Sequence, residues 1–358
     1  MPLLAMPAPD TSHRCRLPGL RVGAVLVIPL LLLALAGCGP REHTLTLAGP
    51  TMGTSWSVQL PRPPAGVDQA ALYAGITAVL EEVNARMSTY QADSELSRFN
   101  AAESTDWFPV SDELVRLVDT ALAVSTLSDG AFDVTVGPLV NLWGFGPEVQ
   151  ADELPAQAEI DAALVRVGWT LLHTRTEPPA LRKDRPDVYV DLSAIAKGHG
   201  VDRVAAVLEA AGVRDYLAEI GGELRGRGVN AEGEPWRIAV ERPDPGRRAV
   251  LRVVALTDQA MATSGDYRNF FELDGRRYSH SIDPATGRPV DHQLASVTVL
   301  AERCGEADAW ATALLVLGPE RGRALADERG LAALFVERIG EELRLSESAA
   351  FARAAGAD

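Results

Sequence analysis

An unbroken apolar run over residues 22–36 decides how much of this chain has to fold as a globular body. The run reads VGAVLVIPLLLLALA and follows three arginines, Arg14, Arg16 and Arg21. A basic flank before a short apolar core is the pattern of a secretory signal. A spanning helix needs about 20 apolar residues, so this run is short for one. It closes on Leu35-Ala36-Gly37-Cys38. That is the pattern of a bacterial lipobox, where the cysteine thiol is diacylated and the preceding peptide is removed. A lipid on Cys38 would anchor the mature protein to a membrane on the periplasmic side of the cell envelope. Gly39, where an aspartate would retain such a protein in the inner membrane, favours the outer membrane. The expected organisation is a signal peptide over 1–37, a lipidated tether over 38–43, a folded domain of two lobes over 44–345, and a C-terminal tail over 346–358.

Charge and cysteine content narrow the function classes. The 358 residues carry 34 Lys and Arg against 49 Asp and Glu, a formal net charge of −15. Losing three arginines and Asp10 with the signal leaves 31 against 48, or −17. So acidic a chain repels nucleic-acid backbones, and no basic patch offsets this, so nucleic acid is excluded as a partner. Of the three cysteines, Cys15 leaves with the signal, Cys38 takes the lipid, and Cys304 is left without an intramolecular disulfide partner.

Periodicity alternates between helical and extended. Leu72, Ile76, Val79, Leu80, Val83 and Met87 predict an amphipathic helix over 68–88. Ser111 is placed to cap a second helix carrying Leu114, Val118 and Leu122, which Gly130 stops. Residues 188–192 read as a short strand. A helix follows, with Val201, Val204, Leu208 and Ala211 on one face and Gly212 as its stop. Residues 216–220 read as a strand ended by Gly221-Gly222, with further strands at 236–240, 250–256, 296–300 and 331–336. A helix over 308–317 is broken by Gly318-Pro319. The Pro-, Gly- and charge-rich stretch 141–186 reads as a long excursion or lid between lobes, and the Ala-rich tail as helical or frayed.

Several stretches carry chemistry, each with a plainer alternative. In Asp191-Leu-Ser-Ala-Ile-Ala-Lys-Gly-His-Gly a strand gives way to a helix beginning near Lys197. Helix N-termini attract anions, and Lys197 and Gly198 suit a phosphate cradle. Taken alone, a strand-to-helix turn with a surface lysine explains it as well. Asp308 and Thr312 stand four apart on one helix face and offer two oxygens to a hard cation such as Mg²⁺. A buried Thr and an Asp near a helix start is the alternative. His280, just before the Asp283-Pro-Ala-Thr-Gly turn, is either a general base or a structural partner of that turn. No His or Cys spacing suits zinc. Met52 and Tyr90 could sandwich a flat heterocycle or simply pack in the core. The glycine-rich stretch 129–146 either leaves amides open to a ligand or joins a helix to a strand.

The order of these motifs adds what none carries alone. Met-Gly-Thr, Ser-Thr-Tyr, Asp-Gly-Ala-Phe-Asp-Val-Thr-Val-Gly-Pro-Leu-Val, Asp-Leu-Ser-Ala-Ile-Ala-Lys-Gly, Gly-Gly-Glu, Thr-Ser-Gly-Asp-Tyr, Ser-His-Ser-Ile-Asp-Pro and Ala-Asp-Ala-Trp-Ala-Thr-Ala-Leu follow one another over residues 44–340. The series resembles the ApbE family, bacterial FAD:protein FMN transferases that are often lipoproteins. The resemblance implies an α+β, bilobed, T-fold-related domain with mixed sheets and helices packed on them, and FAD held between the lobes. It implies transfer of FMN from FAD to a Thr or Ser hydroxyl of an acceptor flavoprotein, with release of AMP. Acceptors of the family are subunits of membrane redox complexes of the NADH:quinone reductase and Rnf types. Carried over by position, Asp308, Thr312 and the carbonyls of Ala194 and Ala311 match the Mg²⁺ ligands. Met52, Tyr90, Ala131, Phe132, Asp133, Asp191, Lys197 and Ile282 match flavin-nucleotide contacts, with Lys197 also stabilising charge in the reaction. His280 matches the base acting on the acceptor hydroxyl. His199 and Ser193 depart from the family, where an aromatic residue and Gly are frequent. Two other outcomes share the motifs: a Mg²⁺-dependent FAD pyrophosphatase giving FMN and AMP, and a non-catalytic flavin-binding lipoprotein.

Overall fold

Short strands, some of them joined by glycine turns, build the centre of the molecule, and the longer helices cover one side of it. The computed structural model describes residues 44–146, 154–244, 249–266, 270–273 and 276–355, which belong to one compact unit, His43–Asp358. Eight strands form an antiparallel sheet. Their spatial order is Leu45–Thr51, Thr54–Leu60, Tyr216–Ile220, Glu223–Arg227, Gln259–Gly265, Leu294–Ala301, Ala332–Ile339 and Glu342–Glu347. Two of its hairpins turn on Met52-Gly53 and Gly221-Gly222, all four at positive φ. Such turns match the right-handed twist of paired strands, and they bring both hairpin tips to the same end of the sheet.

Alternation along the strands makes two cores. Leu224, Met261, Leu300 and Leu334 meet Trp236, Ile238, Val254 and the fully buried Phe351 on one side. That side is covered by the separate Trp236–Glu241/Val250–Leu256 hairpin and the C-terminal helix Ala349–Ala354. Ala262, Val297, Val299, Ala333 and Phe335 face the other side, under the helices.

Two expected helices form as read. Asp68 accepts from the Ala70 and Ala71 amides and caps Gln69–Met87, which buries Leu72, Ile76, Leu80, Val83 and Met87. The Ser111 hydroxyl caps Asp112–Leu127. The helix Ser193–Ala210, hereafter the lysine helix, ends before Gly212 at φ 76°. The helix Cys304–Arg329, hereafter the aspartate helix, is interrupted at Gly318 (φ 78°, ψ 178°), where Gly318-Pro319 was expected to break it.

Four expectations are corrected. Residues 188–192 join no sheet, and by Leu192 (φ −100°, ψ 12°) the chain is already turning into the next helix, because a side chain takes the place of a neighbouring strand. The Asn100 amide donates to Val190 O (2.8 Å) and accepts from Val190 N (2.8 Å), and Asp191 N donates to Val134 O. The lysine helix starts at Ser193, a turn before Lys197, because Asp191 Oδ1 accepts from both Ser193 N (2.8 Å) and Ser193 Oγ (2.6 Å) and closes the turn there. The aspartate helix begins at Cys304 rather than Asp308. The 141–186 stretch is no long excursion where it is described: Gln157–Leu164 is helical, and Leu172–Thr176 and Pro179–Lys183 pair in a three-stranded sheet with Phe108–Pro109. Gly168 and Pro178 lie between these elements, while Pro179 opens a strand; residues 147–153 lie outside the described residues. Within the tail, Ser346 and Glu347 complete the strand Glu342–Glu347, and Ala349–Ala354 is a helix capped by the Ser348 hydroxyl.

The lysine and aspartate helices cross in backbone contact. A Cβ on Gly198 would lie 2.4 Å from Cys304 O and 2.8 Å from Gly305 N. Glycine inside a helix costs about 1 kcal/mol relative to alanine, so this position needs the missing side chain. Gly198→Ala is expected to destabilise the protein by about 2–3 kcal/mol despite its better helix propensity, as overpacking against rigid backbone does. An unchanged urea midpoint would contradict the close crossing.

Candidate functional site

The sheet end that carries the two glycine turns opens into a cavity of about 910 Å³. This is near the upper end for small-molecule sites and suits a large ligand. Thr54 and Ser55 come from the first hairpin, Glu219 and Gly221–Leu224 from the second, and Thr263–Gly265 from the end of the fifth strand in the sheet order.

The lysine helix contributes Ala194 and Lys197 to the lining, and the aspartate helix contributes Asp308 and Thr312. Asp308 is 3% exposed, and its Oδ2 accepts from Gly198 N at 3.1 Å, across the helix crossing. Thr312 and Ser264 hydroxyls hydrogen-bond at 3.0 Å. Lys197 Nζ donates to Glu223 Oε1 at 2.5 Å. Burial pushes the Asp308 carboxyl above the ordinary range, with Lys197 acting against that shift. Glu223 is pushed up to about 7 by burial, then by the Asp308 charge, against the pull of Lys197. Burial opposes the charge on Lys197, but Asp308 and Glu223 outweigh it and raise Lys197 above its usual range.

Two buried carboxylates against one ammonium leave the site short of positive charge, and Glu223 Oε2 is buried without a hydrogen-bond partner. A cation answers that deficit. Among the described residues no group of three or more His, Cys, Asp or Glu side chains is placed to hold a metal. Asp308, Thr312 and Ala194 all line the cavity, and a carboxylate joined by hydroxyl and carbonyl oxygens is a donor chemistry that suits a hard, water-retaining ion such as Mg²⁺.

The lining also includes Tyr90, Ala131, Phe132, Asp133, Asp191, His280 and Ile282. Tyr90 stands at the rim, 71% exposed. Asp133 is buried and spends its carboxylate internally, taking Thr135 N and Oγ1 at 2.7 Å each and Trp169 N at 2.8 Å. His280 follows the Arg276–Ser279 strand, on a loop fastened at both ends. Trp143 Nε1 donates to Gly287 O (2.8 Å), Tyr278 stacks between Trp143 and Phe271, and the Phe145 ring meets His280 edge-on at 6.3 Å.

The structure thus brings together all but three of the singled-out residues. Met52 does not line the cavity; at φ 47° it packs on the lysine helix, its Cε 3.0 Å from where a Gly200 Cβ would be. Ala311 is fully buried and also outside the lining. Cys38 lies outside the described residues, among which no helix is long and apolar enough to cross a membrane. Cys304 is buried, and burial pushes its thiol well above the ordinary range, so it is no nucleophile. Glu223 is the main residue that sequence reasoning passed over. Its signal was the Gly-Gly-Glu motif, but nothing in spacing pairs it with a lysine 26 residues earlier.

Behind the lysine helix, Glu113 gathers His199 (2.7 Å), Arg203 and Arg86 from two other helices. His199 thus has a polar partner in Glu113. Burial acts to raise the Glu113 carboxyl, but hydrogen bonds from His199 and Arg203 and the Arg203 charge outweigh it and hold it at about 2, against 4.5 ordinarily. A carboxylate held below its unfolded value adds stability that is full above the unfolded pKa and is lost as pH falls through the folded one. Glu113→Gln is expected to cost about 2 kcal/mol at neutral pH and to flatten the loss of stability between about pH 5 and pH 2. Parallel pH profiles for the two proteins would contradict this.

A family model described as the ApbE family matches residues 52–335. An FAD:protein FMN transferase of Vibrio cholerae serotype O1 is 47% identical over 326 residues, 91% of this chain and 97% of the relative. The solved flavin transferase ApbE from Vibrio cholerae superposes with a TM-score of 0.81 at 45% identity, covering 87% of this chain and 99% of that one. The apo flavinyl transferase ApbE of Pseudomonas stutzeri gives 0.81 at 41% identity, over 88% and 98%.

Proposed function

We propose, from the premise that this chain belongs to the ApbE family, that the cavity at the sheet end is where its chemistry occurs. The chain is a transferase that moves FMN from FAD to an acceptor protein. The observation that carries the assignment of the site is the meeting of Asp308 and Thr312 with the Lys197–Glu223 pair at the helix crossing.

In the reaction an acceptor hydroxyl oxygen bonds to the FMN phosphorus, the bridging P–O bond of the pyrophosphate breaks, and AMP departs with that bond's electrons. Asp308, Thr312 and the Ala194 carbonyl would hold Mg²⁺. When bound, the ion supplies positive charge against the phosphoryl oxygens as the bond breaks. Lys197, kept charged by its two carboxylates, adds a fixed positive charge on the same side. His280 takes the proton of the acceptor hydroxyl, from a loop that Trp143 and Tyr278 keep in place. Tyr90 at the rim and Ala131–Asp133 and Ile282 on the wall hold the flavin nucleotide. Such a transfer needs mainly positioning and electrostatics, so no side-chain nucleophile is required.

The lipobox pattern supports a lipid on Cys38 and a periplasmic location, and the resemblance to the family implies acceptor subunits of NADH:quinone reductase or Rnf type. The test of the metal is removal. EDTA is expected to stop AMP release from FAD and excess Mg²⁺ to restore it; AMP release unaffected by the chelator would overturn the Asp308/Thr312 assignment.

A further inference from the structure

The aspartate helix has no N-terminal cap of its own. Its N-cap residue, Arg303, makes no side-chain cap hydrogen bond. The cap comes instead from the lysine helix. Asp202 Oδ1 accepts from Cys304 N and Oδ2 from Gly305 N, each at 3.0 Å. A carboxylate at this end of a helix meets the positive pole of its dipole as well as two unpaired amides. Asp202 stands four residues after Gly198, on the helix face that meets Asp308 and the Cys304 carbonyl.

A strand fixes the other side of the lysine helix. Glu223 and Arg225 are two apart on one strand and therefore share a face. Glu223 pairs with Lys197, and Arg225 Nη1 donates to Asp202 Oδ1 at 3.3 Å. The two rungs have opposite polarity: acid on the strand to base on the helix, then base on the strand to acid on the helix. A shift of the helix along the strand would set like charges opposite each other.

We propose that Asp202 is a positioning residue for the cation site. It ties the first turn of the aspartate helix to the lysine helix, so that Asp308 and Thr312, one and two turns on, meet the Ala194 carbonyl and Lys197 in register. This rests on the reading of Asp308 and Thr312 as cation ligands. Partners hydrogen-bonded directly to metal ligands are typically worth about 10- to 100-fold in metal affinity, and Asp202 acts on the same ligands through the register of their helix.

The test uses the full chain, with Asp202→Asn and Asp202→Ala beside Asp308→Ala. Three quantities are read: the Mg²⁺ concentration that half-raises the melting temperature, FAD affinity in EDTA, and amide exchange of Cys304 and Gly305 without metal. Both Asp202 variants are expected to raise the Mg²⁺ midpoint at least about tenfold, leave metal-free FAD affinity within about twofold, and expose the two amides to faster exchange. Asp202→Asn keeps shape and one acceptor oxygen, so it serves if the alanine variant does not fold. A wild-type Mg²⁺ midpoint in either folded variant overturns the proposal. If the wild-type protein and Asp308→Ala respond alike to Mg²⁺, the metal reading itself has failed. Exchange then still decides the latch, and unchanged protection of Cys304 and Gly305 overturns that too.

Discussion

Asp308→Ala is expected to lower FMN transfer at least about a thousandfold while leaving the protein folded. The magnitude follows from what the side chain supplies. It is the one aspartate in a donor set otherwise made of neutral oxygens, and it lies at the helix crossing beside Lys197. Removing a preorganised charge from a water-poor site costs about 10²–10³ in rate, and losing an ion that stabilises phosphoryl charge adds to that. Stability moves little, because burial already works against ionisation of this carboxyl and its loss relieves repulsion with Glu223. Asp308→Asn separates the two effects: it keeps the acceptor for Gly198 N but not the charge. It is expected to melt within a few degrees of the wild-type protein and to be nearly as inactive as the alanine variant. Activity above about a tenth of wild type at saturating Mg²⁺ would contradict the assignment.

His280→Ala is expected to slow transfer by about a hundredfold, within the range for loss of a positioned base. The effect should fall on the chemical step and not on FAD binding, because the cavity walls that would hold the nucleotide do not depend on the imidazole. The neighbouring contacts also survive. Trp143 still donates to Gly287, and Tyr278 still stacks on Trp143 and Phe271, so the loop keeps its path. Added imidazole is expected to restore part of the rate by filling the space left beside Phe145. A wild-type rate in the alanine variant would contradict the base role, and a tenfold loss of FAD affinity would assign His280 to binding instead.

Much of the fold was legible because local signals agreed with the final packing. The helices Gln69–Met87 and Asp112–Leu127 have both an apolar stripe and a capping residue, and both formed where read. Gly221-Gly222 ended its strand as read, though the partner strand it turns into, Glu223–Arg227, was not foreseen. Where signals misled, a long-range contact had replaced a local one. Residues 188–192 read as a strand because Val188, Tyr189 and Val190 favour one, but Val190 is paired with the amide of Asn100, about 90 residues earlier in the chain. Trp236–Glu241 and Val250–Leu256 have ordinary strand patterns, yet they pair only with each other, because the face they cover belongs to the large sheet.

The site divides in the same way. The four-residue spacing of Asp308 and Thr312 is a local fact of a helix, and sequence could supply it. That Lys197 faces Glu223, and that Asp202 caps a helix starting 102 residues later, depends on how two helices cross over a strand. No periodicity carries that information. The ordered motifs pointed to the family because they sample the whole site at once, whereas each one alone allowed a plain structural explanation.

The most direct test of the account is the intact mass of an acceptor. The full chain in detergent is incubated with FAD, Mg²⁺ and a periplasmic acceptor domain from an NADH:quinone reductase- or Rnf-type complex. The account predicts that the acceptor gains the mass of one FMN less one water, with one AMP released per acceptor modified. An unmodified acceptor beside free FMN and AMP, or FAD left intact, would contradict it.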